Sequence, residues 1–314
     1  MQQTRLLVVG SAAGGGFPQW NCNCANCQAA RAGNPLYPAR TQSSVAWSRD
    51  GQHWLLINAS PDILIQLQRC QPLQPKTGKR DTGIAGVMLM DAQIDHVTGL
   101  VMLREHASAL PIYATREVFA DLSEGFALIK LLSHYCGTEQ HVIEPDSNNP
   151  SAYQPLTWSW LPHAHIEPIA LHSKPPPYSS WRHNPRPGDN LGTMLVNELT
   201  GQRLFYAPGL GQIDETTWRC LQSANIVLVD GTFWTDDEMI TQGLGKKTAH
   251  QMGHLPQSGP NAMMQTLQQL PASTRKILIH INNSNPILCE DSQERQILAD
   301  AGIEVAYDGM EIWF

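Results

Sequence analysis

Short apolar runs alternate with helix-like segments along the whole chain. Eleven runs rich in Val, Ile and Leu predict β-strands, and six segments whose apolar positions recur with helical spacing predict α-helices. The predicted strands are 5–9, 44–47, 54–58, 86–90, 156–161, 166–171, 191–199, 203–207, 226–230, 276–281 and 303–307. The predicted helices are 97–106, 116–122, 125–134, 213–223, 261–270 and 292–301. In the last helix Asp291 and Glu294 have the spacing of a capping box, and Gly302 stands where a helix usually ends.

Strands and helices mixed over the whole length predict an α/β protein. Because both halves are rich in strands with helices after them, we expect two sheets packed face to face with helices outside, a four-layer αββα sandwich. We predict a single domain, 1–314, with two strand-rich halves, 1–173 and 189–314, joined by the loop 174–188.

The joining loop 174–188 contains five prolines, which preclude regular structure there. One interpretation is an exposed linker between the halves. The other is a lid, in which Tyr178, Trp181, Arg182 and His183 close over a polar, aromatic ligand.

Composition and charge argue against several classes of protein. The 314 residues carry a net charge of −7 and no basic stripe, which argues against nucleic-acid binding. The apolar fraction of 42% provides for a sizeable core, while no apolar run approaches the ~18 residues of a membrane span. The first apolar run is too short for the core of a signal peptide and predicts a strand. We therefore expect a cytoplasmic protein whose thiols stay reduced.

Acidic and imidazole side chains follow a buried strand in the segment 86–100. The apolar run 87–90 ends at Asp91, and Asp95 and His96 follow before an apolar stretch with helical spacing. This pattern predicts a strand that delivers carboxylates and an imidazole into the loop at its carboxyl end. Carboxylate plus imidazole suits iron, manganese or zinc.

A second candidate, His280, follows the mainly apolar run 276–279 and begins an amide-rich turn. A single histidine there is often only a hydrogen-bonded core residue, and His250 and His254 are equally ambiguous. Taken together, Asp95, His96 and His280 offer one carboxylate and two imidazoles at strand ends. Such a set on one face of a metal leaves positions open for dioxygen and substrate, as in non-haem Fe(II) oxygenases.

Three of the seven cysteines, Cys22, Cys24 and Cys27, have the spacing C-x-C-x-x-C. Three thiolates on one short loop can take three corners of a tetrahedral zinc site, with a fourth ligand from elsewhere. A redox pair and chance clustering are the alternatives, but a structural zinc is favoured where the other cysteines are scattered. The glycine-rich loop 10–16 fits neither common phosphate-binding pattern, so it predicts a tight turn.

These segments together resemble the coenzyme PQQ synthesis protein B family, which has the metallo-β-lactamase fold; PQQ is pyrroloquinoline quinone. The resemblance runs nearly end to end and depends on 10–27, 91–100, 229–234, 252–259 and 280–286. The wider superfamily carries the signature H-x-H-x-D-H. This chain has Asp91 and Gln93 in place of the two leading histidines but keeps Asp95 and His96.

The resemblance implies one active-site metal where relatives of this fold hold two. Ligands of the first metal are missing at Asp91 and Gln93, and the position of the bridging aspartate falls in 206–209, which has no carboxylate. A further histidine of the first metal falls near His172. Asp95, His96 and His280 match the ligands of the second metal, so they are the predicted ligands of the active-site metal.

Three further residues acquire roles from the resemblance. His254 matches a position that relatives use as an acid or hydrogen-bond donor, and Asp91 is expected to orient a ligand or to take a phenolic proton, so both are predicted to be catalytic. Asn283, three residues after His280, occupies the position of the fourth zinc ligand.

The function implied by the resemblance is a step in PQQ biosynthesis. The expected activity is that of an oxidoreductase, a hydroxylase that uses Fe(II) and O₂ on the tyrosine-derived ring of a cross-linked Glu–Tyr precursor. Manganese or zinc is the alternative active-site metal, and zinc is the structural metal. The expected partners are the small-molecule precursor and other enzymes of the pathway. The alternatives are a carrier in transport of PQQ or its precursor to the periplasm, and a hydrolase with one metal.

Overall fold

Two mixed sheets form the centre of the computed structural model, which describes residues 3–145 and 155–314. Within these ranges each sheet has seven strands, in the orders β14-β1-β2-β3-β4-β5-β6 and β13-β12-β11-β10-β9-β8-β7. The first sheet contains β1 (Arg5–Gly10), β2 (Ser44–Ser48), β3 (Trp54–Ile57), β4 (Ile84–Met88), β5 (Leu110–Thr115), β6 (Thr138–Ile143) and β14 (Glu311–Trp313). The second contains β7 (Leu156–Trp158), β8 (Leu161–Ala170), β9 (Leu191–Asn197), β10 (Arg203–Ala207), β11 (Ile226–Asp230), β12 (Arg275–Ile279) and β13 (Ile303–Val305).

Helices cover the outer faces of the two sheets. In the described residues they are α1 (Ala25–Arg31), α2 (Ile63–Arg69), α3 (Ile94–Val97), α4 (Gly99–Met102), α5 (Arg116–Glu124), α6 (Leu128–Leu132), α7 (Glu215–Ser223), α8 (Glu238–Thr241), α9 (Ala249–Met252), α10 (Met263–Gln268) and α11 (Gln293–Asp300). One apolar cluster fills the space between the sheets, and two others join each sheet to its helices. The predicted four-layer αββα sandwich is therefore confirmed.

Both sheets share one strand pattern. Strands β3 to β6 run parallel in the first sheet, as do β10 to β13 in the second, and the remaining pairs are antiparallel. The inner face of each sheet is apolar and buried, with Trp47 and Tyr206 among the largest side chains there. The carboxyl ends of parallel strands meet along one edge of each sheet, and the two sheets pack face to face, so the residues that follow β4, β11 and β12 can be brought together.

Several local expectations were wrong in detail. The single strand predicted at 156–161 is two antiparallel strands, β7 and β8, and the helix predicted at 97–106 begins at Ile94 and is broken at Thr98. The N-cap of α11 is Ser292, whose side chain accepts from the Arg295 N–H, not Asp291. The end of that helix was predicted correctly, since Gly302 has a left-handed φ of 66°.

The proline-rich segment 174–188 does not connect the two sheets, although it was predicted to join the two strand-rich halves. It connects β8 to β9, which pair antiparallel within the second sheet. The chain instead passes from the first sheet to the second between β6 and β7. Composition marks the segment as irregular but carries no information about which strands it connects. Within the described ranges, no helix combines the length and apolarity needed to cross a membrane.

Candidate metal centre

The candidate site lies where strands of both sheets end. Asp91 follows β4, Asp230 is the last residue of β11, and His280 directly follows β12. The short helix α3 carries Asp95 and His96 in its single turn. Asp91, Asp95, His96 and His280 line a cavity of about 240 Å³ between the two sheets.

Asp95, His96 and His280 converge on one point of this cavity. One donor atom of each lies within 4.8 Å of the donor atoms of the other two. Oδ2 of Asp95 is 3.4 Å from Nε2 of His280 and 3.8 Å from Nε2 of His96. Nε2 of His96 is buried and has no hydrogen-bond partner within the described ranges. A buried nitrogen without a partner, beside a carboxylate and a second imidazole, fits a divalent cation.

The second ring nitrogen, Nδ1, of His96 and of His280 is within hydrogen-bond distance of a protein side chain. Nδ1 of His96 donates to Oδ1 of Asp91 over 2.8 Å, and Nδ1 of His280 lies 2.9 Å from Oγ1 of Thr232. Such contacts fix the tautomer and ring orientation, and they leave Nε2 of each ring, on the side of Asp95, as the nitrogen that can bind a metal. Of the two roles predicted for Asp91, the geometry favours the orientation of a ligand.

His254 belongs to the same network as His280. Its Nδ1 donates to Oδ2 of Asp230 over 2.6 Å, and its ring stacks on that of His280 with centroids 5.4 Å apart. Oγ1 of Thr232 lies 2.6 Å from Oδ1 of Asp230 and 3.1 Å from Nδ1 of His254. Asp230, His254 and His280 therefore meet around a threonine hydroxyl and form a hydrogen-bonded network, and one donor atom of each lies within 4.8 Å of the others.

Charges in the site compensate one another. Burial opposes the protonated form of His96, but Asp91 and Asp95 outweigh it and raise its pKa to about 9. Burial likewise opposes the charged form of Asp95, yet His96 and His280 hold the pKa of this carboxyl well below its usual value. Asp230 raises the pKa of His254 against the effect of burial. The carboxylates of the site therefore favour positive charge at the centre of the cluster of histidines.

The residues at the first-metal position implied by the resemblance make hydrogen bonds within the protein. Asp91 accepts from the N–H of Gln93 as well as from His96, and the Gln93 side chain donates to the Lys174 carbonyl over 3.2 Å. Gly209, in the segment where the resemblance places the bridging aspartate, lines the cavity and has no side chain there, although a Cβ would meet nothing within 4 Å. His172 lies outside, largely exposed, with its Nε2 3.3 Å from Asp214.

The glycine-rich loop after β1 forms one wall of the cavity. Gly15 and Gly16 have φ values of 95° and 70°, which confirms the predicted tight turn. Gly14 lies against the metal site, since a Cβ there would be 3.0 Å from Oδ2 of Asp95. A side chain at Gly14 would therefore displace that carboxylate.

The cysteine loop packs against the turn that begins at His280. The thiols of Cys22, Cys24 and Cys27 lie within 4.8 Å of one another. The side-chain amide of Asn283 lies 3.0, 3.7 and 3.5 Å from these three sulfurs. Because amide oxygen and nitrogen exchange by a half-turn, the oxygen can take this place. The four side chains fit a tetrahedral zinc site with Asn283 as the fourth ligand.

Sequence reasoning missed Asp230 and Thr232, which connect His254 to His280. Both lie in the segment 229–234, and Asp230 ends an apolar strand as Asp91 follows one. The candidate His250 lies elsewhere and pairs with Asp236.

Comparison with known proteins agrees with this architecture. The profile of the beta-lactamase superfamily domain matches residues 53–281, so the chain belongs to this superfamily. It is 57% identical to coenzyme PQQ synthesis protein B of Cupriavidus necator, over 98% of this chain and 99% of the relative. It is 52% identical to the protein of the same name from Azoarcus sp., over 98% of each. The chain therefore belongs to the coenzyme PQQ synthesis protein B family, as the sequence motifs indicated.

Solved structures show the same fold. The crystal structure of Zn²⁺-bound PqqB from Methylobacterium extorquens has 34% identity and a TM-score of 0.86, over 98% of this chain and 99% of that chain. A diphosphatase of the PhnP family, 18% identical with a TM-score of 0.67 over 99% and 97% of the two chains, shares the fold alone.

A buried acid supports the turn beside the metal site. Glu238 accepts from the Ser284 hydroxyl and, over 2.6 Å, from the Trp234 N–H. Burial raises the pKa of this carboxyl to about 7, although both hydrogen bonds oppose the shift. Its ionised form is therefore less favourable in the folded protein than in the unfolded chain.

We expect Glu238→Gln to stabilise the protein at pH 8. Because the folded pKa lies above the unfolded value, the contribution of Glu238 is complete below about pH 4.5 and is lost as the pH rises through 7. Glutamine keeps a donor and an acceptor for the same partners, so the gain is about 2–3 kcal/mol at pH 8 and vanishes near pH 4.5. Urea unfolding at both pH values measures it, with Glu215→Gln, an exposed change, as the control. An equal effect at both pH values would contradict the prediction.

Proposed function

We propose that the protein acts in PQQ biosynthesis as a hydroxylase that uses Fe(II) and O₂ on the tyrosine-derived ring of the cross-linked Glu–Tyr precursor. The observation that carries this proposal is the convergence of Asp95, His96 and His280 at the wall of an open cavity. Two imidazoles and one carboxylate on one face are the ligand set of non-haem iron oxygenases. The names of the relatives supply the pathway.

The residues of the chain have separate roles in this proposal. Asp95, His96 and His280 hold the iron, which when bound supplies the activation of dioxygen. Asp91 keeps the His96 ring oriented. His254, whose Nδ1 is engaged by Asp230, takes or returns a proton at the ring hydroxyl through its other nitrogen. The glycine turn and Phe233 narrow the cavity around the ring, so the reacting positions are held close together.

An oxygen-uptake assay tests the reaction. Protein loaded with Fe(II) without air is mixed with the Glu–Tyr diamino acid and ascorbate, and O₂ is then admitted. For each hydroxylation one oxygen atom enters a ring C–H bond, and two electrons and two protons reduce the other to water. We expect oxygen uptake and a product that is heavier by one or two oxygen atoms, measured by mass spectrometry.

The two alternatives give different results in the same assay. Tight binding of the diamino acid with no oxygen uptake supports a carrier, and cleavage of a phosphodiester or ester without oxygen supports a hydrolase. Either result would rule out the hydroxylase proposal. The side chains at the missing first metal position are already bonded to protein groups, which disfavours a hydrolase with two metals.

Metal content tests the proposed ligands. We expect one iron per chain in the wild type, almost none in His96→Ala or His280→Ala, and much weaker retention in Asp95→Ala. His254→Ala should keep its iron, because we assign this residue to proton transfer. Elemental analysis after gel filtration measures each content. Two tightly bound metals besides zinc in the wild type, or full iron content in His280→Ala, would exclude the single-metal assignment.

The cysteine cluster is proposed to hold a structural zinc with Asn283. Cys24→Ser should remove one zinc per chain and lower the melting temperature by about 5–10 °C, because the loop loses its cross-link. Iron binding should be nearly intact, since Thr232 holds His280 independently. Cys136→Ser, which lies outside the cluster, is the control. Loss of iron with unchanged zinc and melting temperature would contradict the structural role.

A further inference from the structure

Two cationic side chains line the cavity that also holds Asp95, His96 and His280. Lys174 and Arg182 line it, and both come from the proline-rich segment 174–188. The acids near the ligands already have partners, since Asp91 accepts from His96 and Asp95 lies between His96 and the second imidazole. The two cations are therefore not needed to neutralise them.

The protein partners of these cations are backbone oxygens. Nζ of Lys174 donates to the Gln251 carbonyl over 2.9 Å, and Nη1 of Arg182 donates to the Pro175 carbonyl. Within residues 3–145 and 155–314, no carboxylate oxygen lies within 4.0 Å of either. A guanidinium has five N–H donors and an ammonium three, so most of this donor capacity is open to a ligand.

The segment that carries the cations is anchored on both sides. Oγ of Ser179 donates to Oδ1 of the buried Asp121 over 2.7 Å, and the Tyr178 hydroxyl donates to the Ala92 carbonyl. At the far end, Oγ1 of Thr115 donates to the Gly188 carbonyl over 2.7 Å. The cations are thus held in place before a ligand arrives, which lowers the entropic cost of binding.

We propose that Lys174 and Arg182 bind carboxylates of the substrate and so fix its aromatic ring against Asp95, His96 and His280. The substrate class is then a small aromatic amino acid with at least two carboxylates. An arginine fork binds a carboxylate through two parallel hydrogen bonds, while a lysine acts as a point charge. This inference rests on the proposed function and identifies the residues that recognise its substrate.

Binding without oxygen tests recognition apart from catalysis. Fe(II)-loaded protein is titrated without air, by calorimetry, with the Glu–Tyr diamino acid and with an analogue whose carboxylates are carboxamides. We expect the analogue to bind wild-type protein at least 10-fold more weakly. We expect Arg182→Gln and Lys174→Gln each to weaken binding of the diamino acid by about 10–100-fold, as for the loss of a charge-assisted hydrogen bond.

Controls separate recognition from folding and from metal loss. Iron content and melting temperature should stay at wild-type values in both variants. Arg116→Gln removes one positive charge from an exposed surface pair and should bind as the wild type does. Under O₂, both cavity variants should show a raised KM with a nearly unchanged kcat, because the lost contacts serve binding.

The outcomes distinguish this inference from the proposed function. Equal binding of the acid and its amide by wild-type protein, no binding of the acid, or an unchanged KM in both variants would overturn carboxylate recognition. Binding that depends on Arg182 without any oxygen uptake would support recognition but reject hydroxylation. Hydroxylation with an unchanged KM in both variants would support the hydroxylase proposal but reject carboxylate recognition by Lys174 and Arg182.

Discussion

The turn after β12 is the constraint on which the rest of the site depends. His280 lies there with a left-handed φ of 61°, a conformation that costs a non-glycine residue about 1–3 kcal/mol. Buried hydrogen bonds offset this cost: the Ile281 N–H donates to Ser11, and the side chain of Asn285 donates to the carbonyls of Gly231 and Thr232. Because these hydrogen bonds fix the conformation of the turn, the His280 imidazole is held on one side of it and the Asn283 amide on the other.

The same turn therefore joins the two proposed metal sites. Asn283 contacts the thiols of Cys22, Cys24 and Cys27, and the side chain of Asn26, in the first turn of α1, donates to the carbonyls of Asn283 and Asn285. The His280 side depends on protein hydrogen bonds, in which Thr232 lies between His280 and Asp230. The two proposed sites share a backbone but not a ligand, so the proposed zinc would stabilise a turn whose imidazole is oriented by other groups.

The sequence was sufficient to predict that Asp95, His96 and His280 lie together, because each follows an apolar run. Parallel strands bring their carboxyl ends to one edge of a sheet, and here the two sheets pack face to face, so residues after β4 and β12 meet. It was insufficient for Asp230 and Thr232, since their roles depend on which strands are neighbours and on a contact to a histidine 24 residues away. The short edge strand β14 and the polar strand β6 were missed because neither presents an apolar run.

One hydrogen bond connects the first-metal position implied by the resemblance with the segment that carries Lys174 and Arg182. Gln93 stands where the signature has its second histidine, and its amide donates to the carbonyl of Lys174, the first residue of the proline-rich segment. A histidine at this position could not both bind a metal and donate the same hydrogen bond to the Lys174 carbonyl. Lys174 and Arg182 line the same cavity as Gln93. In the proposed function, these two side chains would therefore bind the anionic groups of the substrate, a role that a second metal could otherwise serve.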